Sequence, residues 1–252
     1  MAFPRMNSYK IIKRLNAFLI VTLFMCTSFA GAAQSPKPNK YGLLVVEKWK
    51  DYMASVRKDS SMRMVDLKRA IPGLVLELKY AGSDNFMKQQ LYPAPLHTSY
   101  LRSKAAMGLL AVQAALNKQG MGLKIWDAYR PYSVTEKMWE PVKDDRYAAD
   151  PKYGSGHNRG IAVDLTIINI GTRKELDMGT SFDHFSDTAH SDFKNLPGQV
   201  LQNRMLLRSL MEQHGFKVLD TEWWHFYLPE SKKYELLNLT FKQLALQDRK
   251  GN

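Results

Sequence analysis

The chain has 252 residues, a formal net charge of +12 and a single cysteine, Cys26. This length, without a change in composition along the chain, fits one domain with a sizeable core. One cysteine excludes an internal disulfide. Because Cys26 lies in a predicted signal peptide, thiol catalysis and cysteine–zinc sites are excluded from the mature protein as well.

The first 33 residues are typical of a secretory signal peptide. Four basic residues precede an apolar run over 15–29, and small residues at 30–33 offer cleavage sites. We therefore predict export to a periplasm or to the outside, with no stable membrane insertion after the signal is removed. Residues 34–42 are expected to form a flexible leader and residues 43–252 the functional domain.

Beyond the leader, helical and strand patterns are mixed without regular alternation. In chain order we predict a helix over 43–56, strands over 65–67 and 74–78 around the Ile71–Gly73 turn, a helix over 100–117, a strand over 123–126, a helix from 134, a strand over 161–167, a helix over 200–214 and a hairpin over 216–228. This order favours a single α+β domain with a central, largely antiparallel sheet flanked by helices. The lysines and arginines are scattered, which predicts a solvated surface and no nucleic-acid partner.

Two short stretches carry the candidate chemistry, residues 155–164 (SGHNRGIAVD) and 222–225 (EWWH). A catalytic zinc site uses three protein ligands and leaves one position to water, so His157, Asp164 and His225 make a suitable set. Asp164 lies in an apolar strand and needs a partner, which a metal would provide. A hydrogen-bonded structural aspartate is the alternative.

Glu222 and His225 are three residues apart, which would place them on opposite faces of a regular strand. Both can line one site only if Glu222 belongs to the turn before the strand, and we expect that arrangement. Glu222 would then accept a proton from the attacking water. Trp223 and Trp224 would exclude solvent and raise the pKa of the carboxyl group. A solvated hairpin charge is the alternative.

Arg130 follows a predicted strand in the segment Asp127-Ala-Tyr-Arg-Pro131. A guanidinium at this turn could stabilise the oxyanion that forms when water attacks a carbonyl carbon. A structural salt bridge between Arg130 and Asp127 is the alternative.

With these motifs on one chain, the sequence resembles the D-alanyl-D-alanine dipeptidase family of the VanX type. That family belongs to a zinc peptidase superfamily with lysostaphin-like enzymes, D,D-carboxypeptidases and the hedgehog signalling domain. The resemblance runs from about Met64 to Leu228. It includes residues 80–86 (YAGSDNF), 126–131 (WDAYRP) and 178–183 (MGTSFD), besides the two stretches above.

The resemblance implies a hedgehog/D,D-peptidase-like fold and one zinc ion per chain. The implied roles are zinc binding by His157, Asp164 and His225, proton transfer by Glu222, transition-state stabilisation by Arg130, recognition of the substrate amine by Asp183 and Tyr80, and a further substrate contact by Ser155. A core aromatic and a loop cap are the alternative roles of Tyr80 and Asp183.

The predicted function is zinc-dependent hydrolysis of D-Ala-D-Ala, or a related D,D-dipeptide, to free D-amino acids, with possible contact to peptidoglycan. The alternative is a zinc D,D- or L,D-carboxypeptidase that trims peptidoglycan stem peptides, which an open cleft in place of an Asp183 pocket would favour. A serine D,D-peptidase is less well supported: Ser55-x-x-Lys58 and Ser83-Asp-Asn85 occur, but Lys-Thr-Gly is absent. A pure binding module would have no need of Glu222.

Overall fold

The structure is a computed structural model that describes Met1 and residues 37–246. Apart from Met1, the predicted signal peptide over 1–33 lies outside the described residues, and so does the start of the predicted leader, 34–36. From Asn39 onward the leader is in contact with the domain, where the Asn39 side chain donates to the Tyr132 hydroxyl at 3.0 Å. Within the described part of the chain, no helix combines the length and apolar character needed to cross a membrane.

The elements of the domain mix helices and strands along the chain. The helices are α1 (Trp49–Lys58), α2 (Leu67–Ala70), α3 (Ser103–Asn117), α4 (Tyr132–Val142), α5 (Gly156–Arg159), α6 (Gly198–Gln213) and α7 (Phe241–Leu244). The strands are β1 (Val45–Val46), β2 (Met64–Asp66), β3 (Val75–Leu76), β4 (Tyr100–Arg102), β5 (Met121–Asp127), β6 (Ala162–Asn169), β7 (Lys217–Leu219), β8 (Glu222–Tyr227) and β9 (Leu236–Leu237).

A five-stranded sheet in the order β3-β5-β6-β8-β7 forms the centre of the domain. The β3–β5 pair is parallel and the other three pairs are antiparallel. The remaining strands make two small sheets, β1 with β9 and β2 with β4. The predicted α+β fold with a largely antiparallel sheet is therefore confirmed.

Strand β6 is buried at every position except Asn169. A strand buried on both faces reads as an apolar run, and residues 161–168 have that character apart from Asp164 and Thr166. The helices α3 and α6 contribute further core residues, among them Leu109, Leu116 and Leu207. A polar side chain at the middle of β6 is thus held in a fixed, dehydrated position.

The strands predicted over 65–67 and 74–78 correspond to β2 and β3, but the two do not pair with each other. Strand β2 pairs with β4, whereas β3 pairs with β5 in the central sheet. The chain between them forms α2, because the Asp66 carboxylate accepts the backbone N–H of Arg69 and caps that helix. Similarly, the predicted helix over 43–56 is divided into β1 and α1.

Gly160 makes the turn between α5 and β6. Its φ of +70° is a left-handed conformation that costs an L-residue about 1–2 kcal/mol. A Cβ atom at this position would also lie 2.6 Å from the side-chain sulfur of Met64. Glycine is therefore needed at the point where the chain leaves α5 and enters the buried strand.

Replacing Gly160 with alanine is expected to lower the free energy of unfolding by about 1–2 kcal/mol, measured by urea denaturation. The cause is the left-handed backbone, to which displacement of Met64 adds. Gly198→Ala is the matched control, since an added Cβ at the first residue of α6 would meet no atom within 4 Å. Equal stability of the two variants would contradict this account of the turn.

Candidate active site

His157 lies in the short helix α5, directly before β6. The Ser155 hydroxyl caps this helix by accepting the His157 backbone N–H at 3.2 Å. The imidazole Nδ1 lies 2.7 Å from the backbone carbonyl of Ala128. Since a carbonyl can only accept, Nδ1 carries the proton and Nε2 presents its lone pair to the site.

Asp164 and His225 lie opposite each other on neighbouring strands. They are register partners in the antiparallel pair β6–β8, and His225 Nδ1 lies 2.8 Å from Asp164 Oδ1. His157 Nε2 completes the group, 3.4 Å from Asp164 Oδ2 and 3.3 Å from His225 Nδ1. The strand pairing thus brings together two ligand candidates that are 61 residues apart in the chain.

The donor set of these three residues fits a divalent metal ion. One ligand atom from each of His157, Asp164 and His225 lies within 4.8 Å of the others. Two imidazoles and one carboxylate are a set that catalytic zinc sites use, and imidazole with carboxylate also suits other transition metals. The backbone contact of His157 to Ala128 orients the imidazole in the way that metal ligands are usually held. The residues therefore form a candidate metal site.

Asp164 is ionised in this environment. Burial opposes its negative charge, but His157 and His225 outweigh burial and hold the pKa of Asp164 well below its usual range. A buried carboxylate that faces two imidazoles requires positive charge nearby, which a bound cation would supply.

Glu222 reaches the same site by a route that differs from the predicted one. It is the first residue of β8 and does not belong to the preceding turn. The register of β7 with β8 shifts between Val218 and Leu219, so that Leu219 lies opposite Glu222. This irregularity breaks the strict alternation of the strand and places Glu222 Oε2 3.9 Å from His225 Nδ1.

The surroundings of Glu222 favour proton exchange near neutral pH. Burial, with the charges of Asp164 and Asp183, raises the pKa of Glu222 to about 7 despite the opposing charges of His225 and Arg130. The adjacent Trp224 is 1% exposed and lines the cleft. A carboxyl group with a pKa in this range can both accept and return a proton.

Arg130 forms the salt bridge to Asp127 that was the alternative to a catalytic role. Its side chain also lines the cleft. Its Nε and Nη2 donate to Asp127 Oδ2 at 3.0 and 2.7 Å. Burial opposes the charge, but Asp127 outweighs it and keeps the pKa of Arg130 above its ordinary value. The Tyr92 hydroxyl donates to the other oxygen of Asp127 at 2.6 Å. Asp127 thus holds the guanidinium through Nε and Nη2, and it makes no hydrogen bond to Nη1.

Asp183 and Tyr80 meet at one end of the cleft. The Tyr80 hydroxyl lies 3.3 Å from each carboxylate oxygen of Asp183, and the Phe86 backbone N–H donates to Oδ2 at 3.4 Å. Burial, with the charge of Asp164, raises the pKa of Asp183 to about 7. A carboxyl group that burial destabilises in its charged form is a good partner for an incoming cation, because the cation relieves that cost.

All eight residues predicted from the sequence line one cleft of about 280 Å³. They are Tyr80, Arg130, Ser155, His157, Asp164, Asp183, Glu222 and His225. Ser155 uses its hydroxyl oxygen to cap α5, so any substrate contact would be additional to that role. The sequence did not indicate Tyr92, which gave no motif signal, nor the aromatic wall of Phe86, Tyr147 and Phe185.

Comparison with known proteins gives a consistent picture. The peptidase M15 family model, described as D-Ala-D-Ala dipeptidase, matches residues 60–245. The D-alanyl-D-alanine dipeptidase of Escherichia coli (strain K12) is 37% identical over 179 residues, which cover 69% of this chain and 89% of that protein. The enzymes of the same name from Enterococcus faecalis and Streptomyces coelicolor are 28% and 31% identical and cover 64% of this chain and 89% and 88% of theirs.

The similarity to a solved structure is lower than the similarity to these three enzymes. The chain of the LdcB LD-carboxypeptidase is 19% identical, with a TM-score of 0.34 over 60% of this chain and 64% of that one. A likeness of this size says nothing about the activity.

Proposed function

This chain belongs to the D-Ala-D-Ala dipeptidase family of M15 peptidases, and from that membership we propose that it hydrolyses D-Ala-D-Ala or a related D,D-dipeptide to free D-amino acids with the help of zinc. The observation that carries this proposal is the presence of the His157–Asp164–His225 group and the Asp183 carboxylate in one cleft. The first group suits a catalytic metal, and the second suits a free amino group. A small substrate with both a scissile amide and a free amine fits this pair of features.

We assign the metal to His157, Asp164 and His225, one ion per chain. When bound, zinc would act as a Lewis acid and lower the pKa of a bound water molecule to about 7. These three side chains would hold the ion, and the Ala128 carbonyl fixes the tautomer of His157. Zinc is the proposal because three protein ligands of nitrogen and oxygen type, with a position left for water, are typical of its catalytic sites.

The protein's own side chains perform the proton and charge steps. Glu222 takes a proton from the attacking water and returns it to the amine that leaves, which its pKa of about 7 allows. Arg130 donates hydrogen bonds to the carbonyl oxygen as negative charge develops there. Because Asp127 holds the guanidinium beforehand, little reorganisation is needed when the charge appears.

Asp183 and Tyr80 bind the ammonium group of the substrate in this proposal. A site that pairs an ammonium leaves a buried carboxylate without its partner when the amine is blocked, and such sites reject the blocked substrate strongly. Ser155 lies at the cleft and contributes a further substrate contact. This recognition distinguishes a dipeptidase from a carboxypeptidase, whose substrates carry an acylated amine.

We also propose that the enzyme is exported and meets D,D-dipeptides, or peptidoglycan itself, outside the cytoplasm. The support is the basic, apolar and small-residue order of residues 1–33, which has the form of a signal peptide.

Changing Glu222 to glutamine is expected to lower kcat by about 10²–10⁴-fold while zinc stays near one per chain, because the amide cannot accept a proton. The measurement is D-alanine release together with metal content of the purified protein. Glu230→Gln is the control, since Glu230 forms a surface ion pair with Lys104 at 2.6 Å. Loss of zinc from the Glu222 variant would instead make Glu222 a ligand and refute the assignment.

Changing Asp183 to asparagine is expected to lower kcat/KM for free D-Ala-D-Ala by at least about 10²-fold, because the ammonium loses its ionic partner. Hydrolysis of N-acetyl-D-Ala-D-Ala should change much less. Asp187→Asn, on the same loop, is the control. Equal losses on the free and the blocked dipeptide would remove the amine-recognition role and move the enzyme towards the carboxypeptidases.

A further inference from the structure

Arg204 is a buried cation whose guanidinium donates hydrogen bonds to backbone carbonyls, with the charge of Asp177 nearby. It lies on α6, its residue is 6% exposed, and its guanidinium donates to three backbone carbonyls. The distances are 2.7 Å from Nε to Met178 O, 2.9 Å from Nη2 to Thr188 O and 3.2 Å from Nη1 to His190 O. Burial lowers the pKa of Arg204 to about 10, which leaves the side chain charged at neutral pH.

The three carbonyls belong to the two ends of one loop. Met178 begins the segment 178–190, and Thr188 and His190 end it, with Asp183 in the middle. Apart from a 3-10 turn over Asp187–Ala189, this segment has no regular secondary structure of its own. Arg204 therefore joins the ends of the loop that carries the predicted amine-binding carboxylate.

Neighbouring residues strengthen the same attachment. The Asn203 side chain donates to the Asp177 carbonyl at 2.8 Å, just before the loop. The Trp223 indole N–H donates to the Thr180 hydroxyl at 2.7 Å, and the Arg204 guanidinium lies 5.5 Å from the centroid of that indole. Because Trp223 is adjacent to Glu222, the loop is fixed relative to the strand that holds the proposed general base.

The backbone conformation of Asp183 has to be maintained by contacts elsewhere in the structure. Its φ of +58° is a left-handed conformation that only the surrounding structure can maintain in a residue with a side chain. Its contacts to Tyr80 and to the Phe86 amide are long, at 3.3 and 3.4 Å, so they constrain the carboxylate only weakly. Besides the aromatic packing of the preceding Phe182, the shorter hydrogen bonds of this loop lie at its ends, at 2.7 to 3.2 Å from Arg204.

We propose that Arg204 is a positioning residue for substrate specificity, which acts by holding the 178–190 loop so that Asp183 faces the substrate amine. This inference rests on the proposed function. Arginine suits the task because its planar fork offers five donors in fixed directions and can serve several carbonyls at once. The ammonium of a lysine is a single point and cannot span the three carbonyls in the same way.

The test is a double-mutant cycle between Arg204 and Asp183, with kcat/KM for D-Ala-D-Ala as the readout. Arg204→Met should lower kcat/KM about ten- to a hundredfold in the wild-type background, since a misplaced carboxylate no longer meets the amine. In the Asp183→Asn background the same change should cost less than about twofold, because the interaction that Arg204 supports is already gone. Zinc content should stay near one per chain in every variant.

Two further variants keep the test decisive. Arg208→Met is the matched control on the same helix, because Arg208 pairs with Glu212 on the surface, and it should leave kcat/KM unchanged. If Arg204→Met does not fold, as judged by its thermal transition and zinc content, Arg204→Lys replaces it in the cycle with an intermediate loss expected.

Equal losses from the Arg204 variant in both backgrounds would show a general structural role and overturn the inference. Unchanged kinetics would do the same. A wild-type protein that does not cleave D-Ala-D-Ala would overturn the proposed function, and this inference with it. An active wild type with additive losses overturns the inference alone.

Discussion

The site depends on one row of polar residues that crosses the three central strands. Asp127 on β5 lies opposite Asp164 on β6, and Asp164 lies opposite His225 on β8. Two carboxylates that face each other across buried strands repel, so each needs a cation of its own. Asp127 has Arg130, and Asp164 has the imidazoles and, in our proposal, a metal ion. The sheet register therefore sets both the metal site and the position of the oxyanion-stabilising guanidinium.

Two further carboxyl groups that line the cleft, those of Glu222 and Asp183, differ from that row. Burial raises the pKa values of Glu222 and Asp183 to about 7, whereas the pKa of Asp164 is held low. Carboxyl groups with different pKa values can take different roles in the reaction, one as a charged ligand and another as an acid or base. In our proposal Asp164 binds the metal ion, Glu222 exchanges a proton and Asp183 pairs with the charge of the substrate amine. We thus assign three different roles to three of the carboxyl groups that line the cleft.

The order of helical and strand patterns predicted the fold class, and short motifs indicated His157, Asp164, His225, Glu222 and Arg130. Asp183, Tyr80 and Ser155 came only from the resemblance to the family. The sequence did not predict how Glu222 joins His225, since a register shift depends on the pairing of β7 with β8 and leaves no local pattern. The sequence also did not show which strands β2 and β3 pair with. The two are separated by a four-residue helix capped by Asp66, which the sequence pattern did not predict. Arg204 gave no signal either, because its partners are backbone carbonyls, which any sequence provides.

In our proposal, His157, Asp164 and His225 hold one zinc ion while Glu222 stays outside the coordination shell. Anomalous diffraction at the zinc absorption edge, from crystals of the protein prepared with zinc, tests it most directly. We predict one strong peak per chain, at about 2.0–2.2 Å from one nitrogen of each histidine and one oxygen of Asp164. A peak bonded to Glu222, or no peak among the three residues, would contradict the account.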